Sequence, residues 1–321
     1  MTTVKTRKGK HLLLTECIRR RVESKRSMGK DSTADLYQAA GHRFLEFLGE
    51  KDIYLSEITP TQVSDFQSYL QAKNLRINTI NSYTSSLRAI FNSVLNDHPF
   101  KMGKHPFLHL KLKRDVTVRQ PLTSAGIEKI ATTDFSHDPR LAFRADLSLF
   151  SFMAFGMPFV DMIHLKKSNI QGRDIVYNRH KTGIQIRMQI TPGMWHIIRK
   201  YRNDGEYLFP VMSKPVTHSQ YKGMLAAYNK ALKTIGKLLK IHPNLTSYVM
   251  RRSWAAEAQR RHVSVSVIGK GMGHTSEKTT RYYLGQLDQS ELNKANRAIT
   301  KSINLLLVKN VKGGTGKSAY L

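Results

Sequence analysis

The sequence predicts a mainly α-helical chain in two domains, with one small antiparallel β element. Three observations lead there. The chain has 321 residues, more than one core comfortably holds at roughly 150 residues per domain. Apolar residues recur three and four positions apart through most of its length, the spacing of amphipathic helices. Between Asp174 and Ile190 the period changes to two, as strands require.

After a basic tail over residues 1–10, four helical patterns fill residues 11–98. The first spans about Leu12 to Lys25. The second follows Ser32 and Thr33, side chains able to cap it, carries Leu36, Ala40, Phe44, Phe47 and Leu48 inward, and stops at Gly49. The third has Thr59 as cap and Pro60 in the first helical position, where a missing N–H costs nothing. The fourth buries Ile77, Ile80, Tyr83, Leu87, Ile90, Phe91 and Val94. It turns outward a row of Asn78, Ser82, Ser85, Arg88 and Asn92. Short polar groups with one arginine suit phosphate contacts, and they equally suit a solvated face.

Periodicity fails over residues 99–121, where Lys101, Lys104, Lys111, Lys113, Arg114 and Arg119 crowd a stretch broken by Pro99, Gly103 and Pro106. That reads as a basic linker able to track a phosphate backbone. A second domain over residues 122–304 opens with a helix from about Ser124 and an apolar one from Leu141 through Phe155, ended by Gly156. Pro158 starts a short helix. A two-stranded hairpin follows, its turn holding His180, Lys181, Thr182 and Gly183. Helices resume at Gly193–Tyr201, His218–Leu239, Ser247–Arg261, Ser264–Met272 and near Thr279. The last, about Ser290 to Leu306, carries a stripe of Leu292, Ala295, Ile299, Ile303 and Leu306. Residues 305–321 read as a flexible tail. Within it Lys312-Gly313-Gly314-Thr315-Gly316-Lys317-Ser318 resembles a phosphate loop, but such a loop must follow a strand and open a helix, and only three residues come after it.

Charge sets the partner class. Fifty-two Lys and Arg against 23 Asp and Glu leave a formal net charge of +29. Such an excess repels itself in a compact chain unless a polyanion neutralises it and releases counterions, so nucleic acid is the expected partner. A membrane-surface protein would concentrate its bases on one amphipathic helix, whereas here they run through the whole chain. No run approaches the roughly 18 apolar residues of a membrane span, and Leu12–Leu14 is too short for a signal-peptide core. The single cysteine, Cys17, can build neither an internal disulfide nor a cysteine-based zinc site. A cytoplasmic protein without membrane contact is expected.

In the helix from Ser247, residues Tyr248, Arg251, Trp254, Ala255 and Ala258 fall on one face. Arg251 therefore lies on an apolar side and needs an anion, either a structural carboxylate or a ligand phosphate. Some twenty residues on come Gly273-His274 and then Thr279-Thr280-Arg281-Tyr282-Tyr283, placing an imidazole and a phenol on neighbouring segments.

Arg251 with Gly273-His274 and Thr279-Thr280-x-x-Tyr283 resembles the signature of the tyrosine recombinases, the lambda-integrase-like family, and the likeness runs from about Leu12 to Ile303. It implies an N-terminal four-helix core-binding domain of the SAM-like type joined to a helical catalytic domain of the DNA breaking-rejoining type. It also implies Tyr283 as nucleophile, Arg251 as second phosphate-clamping arginine, His274 at the following His/Trp position and Lys181 as hairpin lysine. The implied activity is site-specific cutting and rejoining of duplex DNA through a covalent 3′-phosphotyrosine, for integration, excision or inversion of a DNA element. Bond energy conserved in that ester removes the need for ATP, and cationic side chains take the place of a metal ion, so no cofactor is expected. The resemblance further implies a homotetramer on paired recombination sites, with the C-terminal helix packing on a neighbour, and DNA-bending accessory proteins as further partners.

The sequence departs from that signature at two places. Pro158 stands where the first clamping arginine is usual, although Asp161, three residues on, is retained. Tyr248 replaces the histidine three before Arg251, and Arg252 stands where a second histidine is common; a bacterial branch of the family shares the Tyr-x-x-Arg-x-Ser-Trp form. Tyr248 still offers a hydrogen-bond donor. A substitute for the missing arginine is expected among Arg144, Arg140 and Arg252. Two other readings stay open from sequence: a catalytically impaired DNA-binding protein of the same fold, and a type IB topoisomerase, against which the compact N-terminal helices argue.

Overall fold

The computed structural model describes residues 12–97, 104–108, 110, 112, 115 and 120–284, with backbone alone for 282–284. The chain divides into two compact units, Met1–Thr117 and Val118–Leu321. Among the described residues no helix is long and apolar enough to cross a membrane.

The first unit holds α1 (Leu14–Ser27), α2 (Asp31–Leu48), α3 (Pro60–Ala72) and α4 (Ile77–Asp97). Each turns its apolar stripe to one core, in which Phe44 meets Phe66 edge to face at 5.1 Å. Gly41 lets α1 come close, because a Cβ there would sit 2.1 Å from Ile18 Cδ1. Thr59 caps α3 as expected, its hydroxyl accepting from Gln62 N at 3.2 Å. The start of α2 differs from expectation. It begins at Asp31 with Lys30 in the cap position and no side-chain cap, which puts Ser32 and Thr33 inside the first turn; the Asp31 carboxylate there complements the helix dipole instead. Gly49 ends α2 in the left-handed conformation at φ +70°.

Part of the basic stretch 99–121 packs on this unit. Phe107 is buried against Phe91 at 5.6 Å between ring centres, His105 Nε2 lies 2.9 Å from Asn92 Oδ1, and Asn78 Nδ2 donates to Asp115 O at 2.9 Å. Two members of the outward row on α4 thus hold the chain that follows. Lys101, Lys111, Lys113, Arg114 and Arg119, expected to meet phosphate, lie outside the described residues, as do residues 1–10, the expected helix over 290–306 and the glycine-rich tail.

The second unit comprises α5 (Ser124–Thr132), α6 (Pro139–Met153), α7 (Phe159–Ile163), a sheet, α8 (Pro192–Lys200), α9 (His218–Leu238), α10 (Ser247–Arg260), α11 (Val265–Met272) and α12 (Glu277–Leu284). Helix α6 is central and packs against α5, α8, α9 and α10. Its Leu147 and Phe150 are fully buried, each stabilising by about 1.5–3 kcal/mol through removal from water. It starts two residues before the expected Leu141, because the Asp138 carboxylate accepts from Arg140 N and Leu141 N, both at 3.0 Å, with Pro139 at the first position. The sheet has three strands where two were expected: β1 (Ile170–Gln171) pairs with β2 (Asp174–Asn178), which pairs with β3 (Gln185–Gln189), all antiparallel. Gly172, at φ +63°, makes the turn that adds β1. The hairpin register runs from Asp174 opposite Gln189 to Asn178 opposite Gln185.

Candidate active site

Four segments of the second unit converge on Arg251. Helix α10 presents it from a buried face, with the residue 2% exposed. Its Nη1 donates to Gly156 O at 3.0 Å and its Nη2 to Met272 O at 2.6 Å, which fixes the guanidinium plane between the loop after α6 and the end of α11. The loop can approach this closely only as glycine. Gly156 has φ +66°, and a Cβ on it would lie 2.5 Å from Arg251 Cα.

Helix α11 ends at Gly273, left-handed at φ +65°, and delivers His274 to the same guanidinium, with Nη2 3.1 Å from His274 Nε2. The other ring nitrogen, Nδ1, lies 2.9 Å from the hydroxyl of Thr280, a completely buried residue of α12. Burial first, and then the charges of Arg251, Arg179 and Lys181, hold the imidazole down at about 4. A guanidinium only donates, so the neutral ring accepts at Nε2 and carries its proton on Nδ1.

The hairpin supplies the fourth side. Thr182 Oγ1 donates to Gly273 O at 3.2 Å, which docks the turn beside His274 and leaves Lys181 exposed next to it. Immediately after β2, Arg179 is 6% exposed and pairs with Asp161, the first-turn carboxylate of α7, at 2.9 Å. Asp161 also accepts from His180 N at 2.8 Å, so one buried carboxylate holds both the arginine and the turn. Arg179 passes over Gly273 so closely that a Cβ there would lie 2.7 Å from its Cγ. Its buried Nε–H has no hydrogen-bond partner among the described residues.

The arrangement concentrates Arg251, Arg179, Lys181 and a neutral imidazole around one glycine-lined corner, which is what a polyanion undergoing group transfer requires. The two family descriptions that match the chain agree with it: Phage integrase SAM-like domain over residues 13–106, and Phage integrase family over residues 128–290. The chain belongs to the phage integrase family, the tyrosine recombinases. A tyrosine recombinase of Thermosipho africanus (strain TCF52B) is 21% identical over 277 residues, spanning 81% of this chain and 91% of that protein. Among solved structures, a lambda integrase dimer bound to a COC′ core site matches with a TM-score of 0.67 at 15% identity, over 87% of this chain and 99% of that one. A lambda integrase tetramer bound to a Holliday junction matches with 0.65 at 16% identity, over 88% and 81%. The Tn1549 transposon integrase in complex with transposon right end DNA matches with 0.62 at 14% identity, over 91% and 100%. At these identities the structural likeness is one of fold.

In this recombinase Arg251, His274, Lys181 and Asp161 come together, the last through Arg179. Tyr283 lies on α12, one turn beyond Thr280; its side chain is outside the described residues. Tyr248 is 46% exposed on α10, with the Arg252 guanidinium 5.9 Å from its ring centre. Arg144 is half-buried on α6 with its guanidinium 5.2 Å from the Phe143 ring centre, and Arg140 is exposed in the first turn of that helix. After Arg251, the charge felt most at His274 is that of Arg179, a residue the sequence reading passed over. Its period gives a weak signal: Arg179 follows β2 two positions after the buried Tyr177, so continuing the strand's period turns it inward, where an arginine needs a carboxylate.

Proposed function

We propose that the chain cuts and rejoins specific duplex DNA sites, with Tyr283 as nucleophile and Arg251, His274, Lys181 and Arg179 acting on the scissile phosphate. The Tyr283 phenol gives up its proton to water as its oxygen bonds to phosphorus, while the bond to the 5′ oxygen breaks. The diester becomes a 3′-phosphotyrosine, and the attack of another 5′ hydroxyl reverses the step. Negative charge builds on the nonbridging oxygens as this happens, and the clamp's fixed cations stabilise it. The leaving 5′ oxygen needs a proton, which Lys181 on the hairpin turn is placed to deliver.

The observation that carries this reading is the joint contact of Arg251, His274 and Thr280, which ties the helix of Tyr283 to the arginine clamp. Arg179 fills the electrostatic place that Pro158 leaves open. It is buried, its charge is felt at His274, and Asp161, three residues after Pro158, holds it. Tyr248 adds a donor at the rim. The substrate is double-stranded DNA carrying recombination sites, gripped by residues 11–98, by the linker 99–121 with Lys101, Lys104, Lys111, Lys113 and Arg114, and by the catalytic domain 122–304. On the first unit Ser82 and Arg88 are half-buried on α4, and Lys104 is exposed. Strand exchange between two duplexes calls for four subunits, helped by DNA-bending accessory proteins, and such DNA lies in the cytoplasm. The outcome is integration, excision or inversion of a DNA element.

A nicked duplex built on the sequence that the protein selects from random DNA tests the reading. A recombinase accumulates a covalent protein–DNA adduct on it; a protein that only binds leaves the duplex free after denaturation.

A further inference from the structure

We infer that Thr280 is a positioning residue: its buried hydroxyl sets which nitrogen of His274 faces the scissile phosphate and couples that choice to the docking of α12. The inference rests on the recombinase reading above. Thr280 is completely buried, its Oγ1 is 2.9 Å from His274 Nδ1, and a Cβ on Gly269 would lie 2.7 Å from that same oxygen. A helix α11 without glycine at 269 would therefore push the hydroxyl away from the ring.

The tautomer follows from the donors around the ring. Arg251 from α10 can only donate, so the Nε2 it meets at 3.1 Å is an acceptor and the ring proton sits on Nδ1. Thr280 must then accept that proton. The other charged groups felt at the imidazole, Arg179 and Lys181 of the hairpin, are also cations, and with Arg251 and burial they keep the ring neutral down to about 4. The Thr280 hydroxyl is placed to take that hydrogen bond from Nδ1. With Nδ1–H held, the lone pair of Nε2 points along the clamp. When phosphate brings its negative charge, the ring can take a second proton at Nε2 and donate to it, still braced from behind by Thr280. Because Thr280 lies one helical turn before Tyr283, the same bond keeps the nucleophile's helix in register with the imidazole.

Two substitutions separate this role from packing. Thr280→Val keeps the volume and removes the acceptor; Thr280→Ser keeps the acceptor and leaves a small void. Single-turnover adduct formation on the nicked duplex is measured across pH for both and for the parent, together with long-range 1H–15N spectra of the His274 ring, assigned with His274→Gln. The inference expects Thr280→Ser to cleave at least about tenfold faster than Thr280→Val, the scale of leaving one buried donor unsatisfied. It also expects the Nδ1–H pattern to survive in Thr280→Ser and to give way to a mixture in Thr280→Val. Equal rates, a faster Thr280→Val, or an unchanged tautomer in Thr280→Val overturns it. Should Thr280→Val fail to fold, the Nε2–H tautomer in the parent or in Thr280→Ser overturns it equally. A parent protein that forms no adduct at all would count against the recombinase reading instead.

Discussion

Arg251 and His274 share a hydrogen bond of 3.1 Å between guanidinium Nη2 and imidazole Nε2, so in the free protein the histidine beside the clamp is neutral and faces it as an acceptor. The free clamp is thus one proton short of its most cationic state.

Stability should carry the mark of this arrangement. Between pH 6.5, the ordinary histidine value, and about 4, where His274 titrates in the fold, the unfolded chain binds a proton at this position that the folded chain refuses. Stability therefore falls as pH drops through that window and levels off below it. The melting temperature of His274→Gln should lose less than that of the parent between pH 6.5 and pH 4, read by thermal unfolding in steps of pH.

The Arg179–Asp161 pair should behave as a buried pair in which each charge needs the other. Asp161→Ala leaves the guanidinium without its counterion and is expected to cost about 3–5 kcal/mol in chemical unfolding, with Asp161→Ala/Arg179→Met costing less than the sum of the two single changes. Arg179→Met alone should keep DNA binding and lose adduct formation by about 100-fold or more, the range for a lost transition-state donor.

Two glycines with nearly the same backbone angle offer a matched comparison. Gly172→Ala, at φ +63° with open space around its Cβ, meets only backbone strain of about 1–2 kcal/mol. Gly156→Ala, at φ +66°, adds a collision with Arg251 Cα. It should destabilise by more than the strain alone and abolish cleavage, whereas Gly172→Ala should cleave normally; unfolding curves and adduct gels read both.

Binding should be steeply salt-dependent, since phosphate neutralisation drives it. Neutralising Lys111, Lys113 and Arg114 together is expected to reduce the slope of log affinity against log salt by up to about 2.7 if all three meet duplex phosphates. Titrations at several salt concentrations measure it.

Most of this was legible in the sequence where one residue type has one physical use. Thr59-Pro60 started a helix, Gly49 and Gly273 ended helices in the left-handed conformation, and the period change at Asp174–Ile190 marked the hairpin. Signals that depend on a distant partner were not. Arg179 looked like one more base in a basic chain until Asp161, eighteen positions earlier, closed on it. Strand β1, with two residues, is too short to show a period. Phe107 sat in a stretch read as linker because isolated aromatics among lysines carry no periodicity, yet it packs in the first unit's core. Arg251 and His274 were legible through their order and spacing, while Thr280, part of the same motif, showed its use only once its hydroxyl met the ring.

Cleavage depends on one phenol, and α12 carries two adjacent tyrosines, Tyr282 and Tyr283. Parent, Tyr282→Phe and Tyr283→Phe are incubated with the nicked duplex, denatured and resolved, and the parent's DNA-linked peptide is sequenced by mass spectrometry. The adduct is expected in the parent and in Tyr282→Phe, with its loss in Tyr283→Phe while DNA binding stays intact, and with the nucleotide on Tyr283. An adduct that persists in Tyr283→Phe and vanishes in Tyr282→Phe would contradict that assignment.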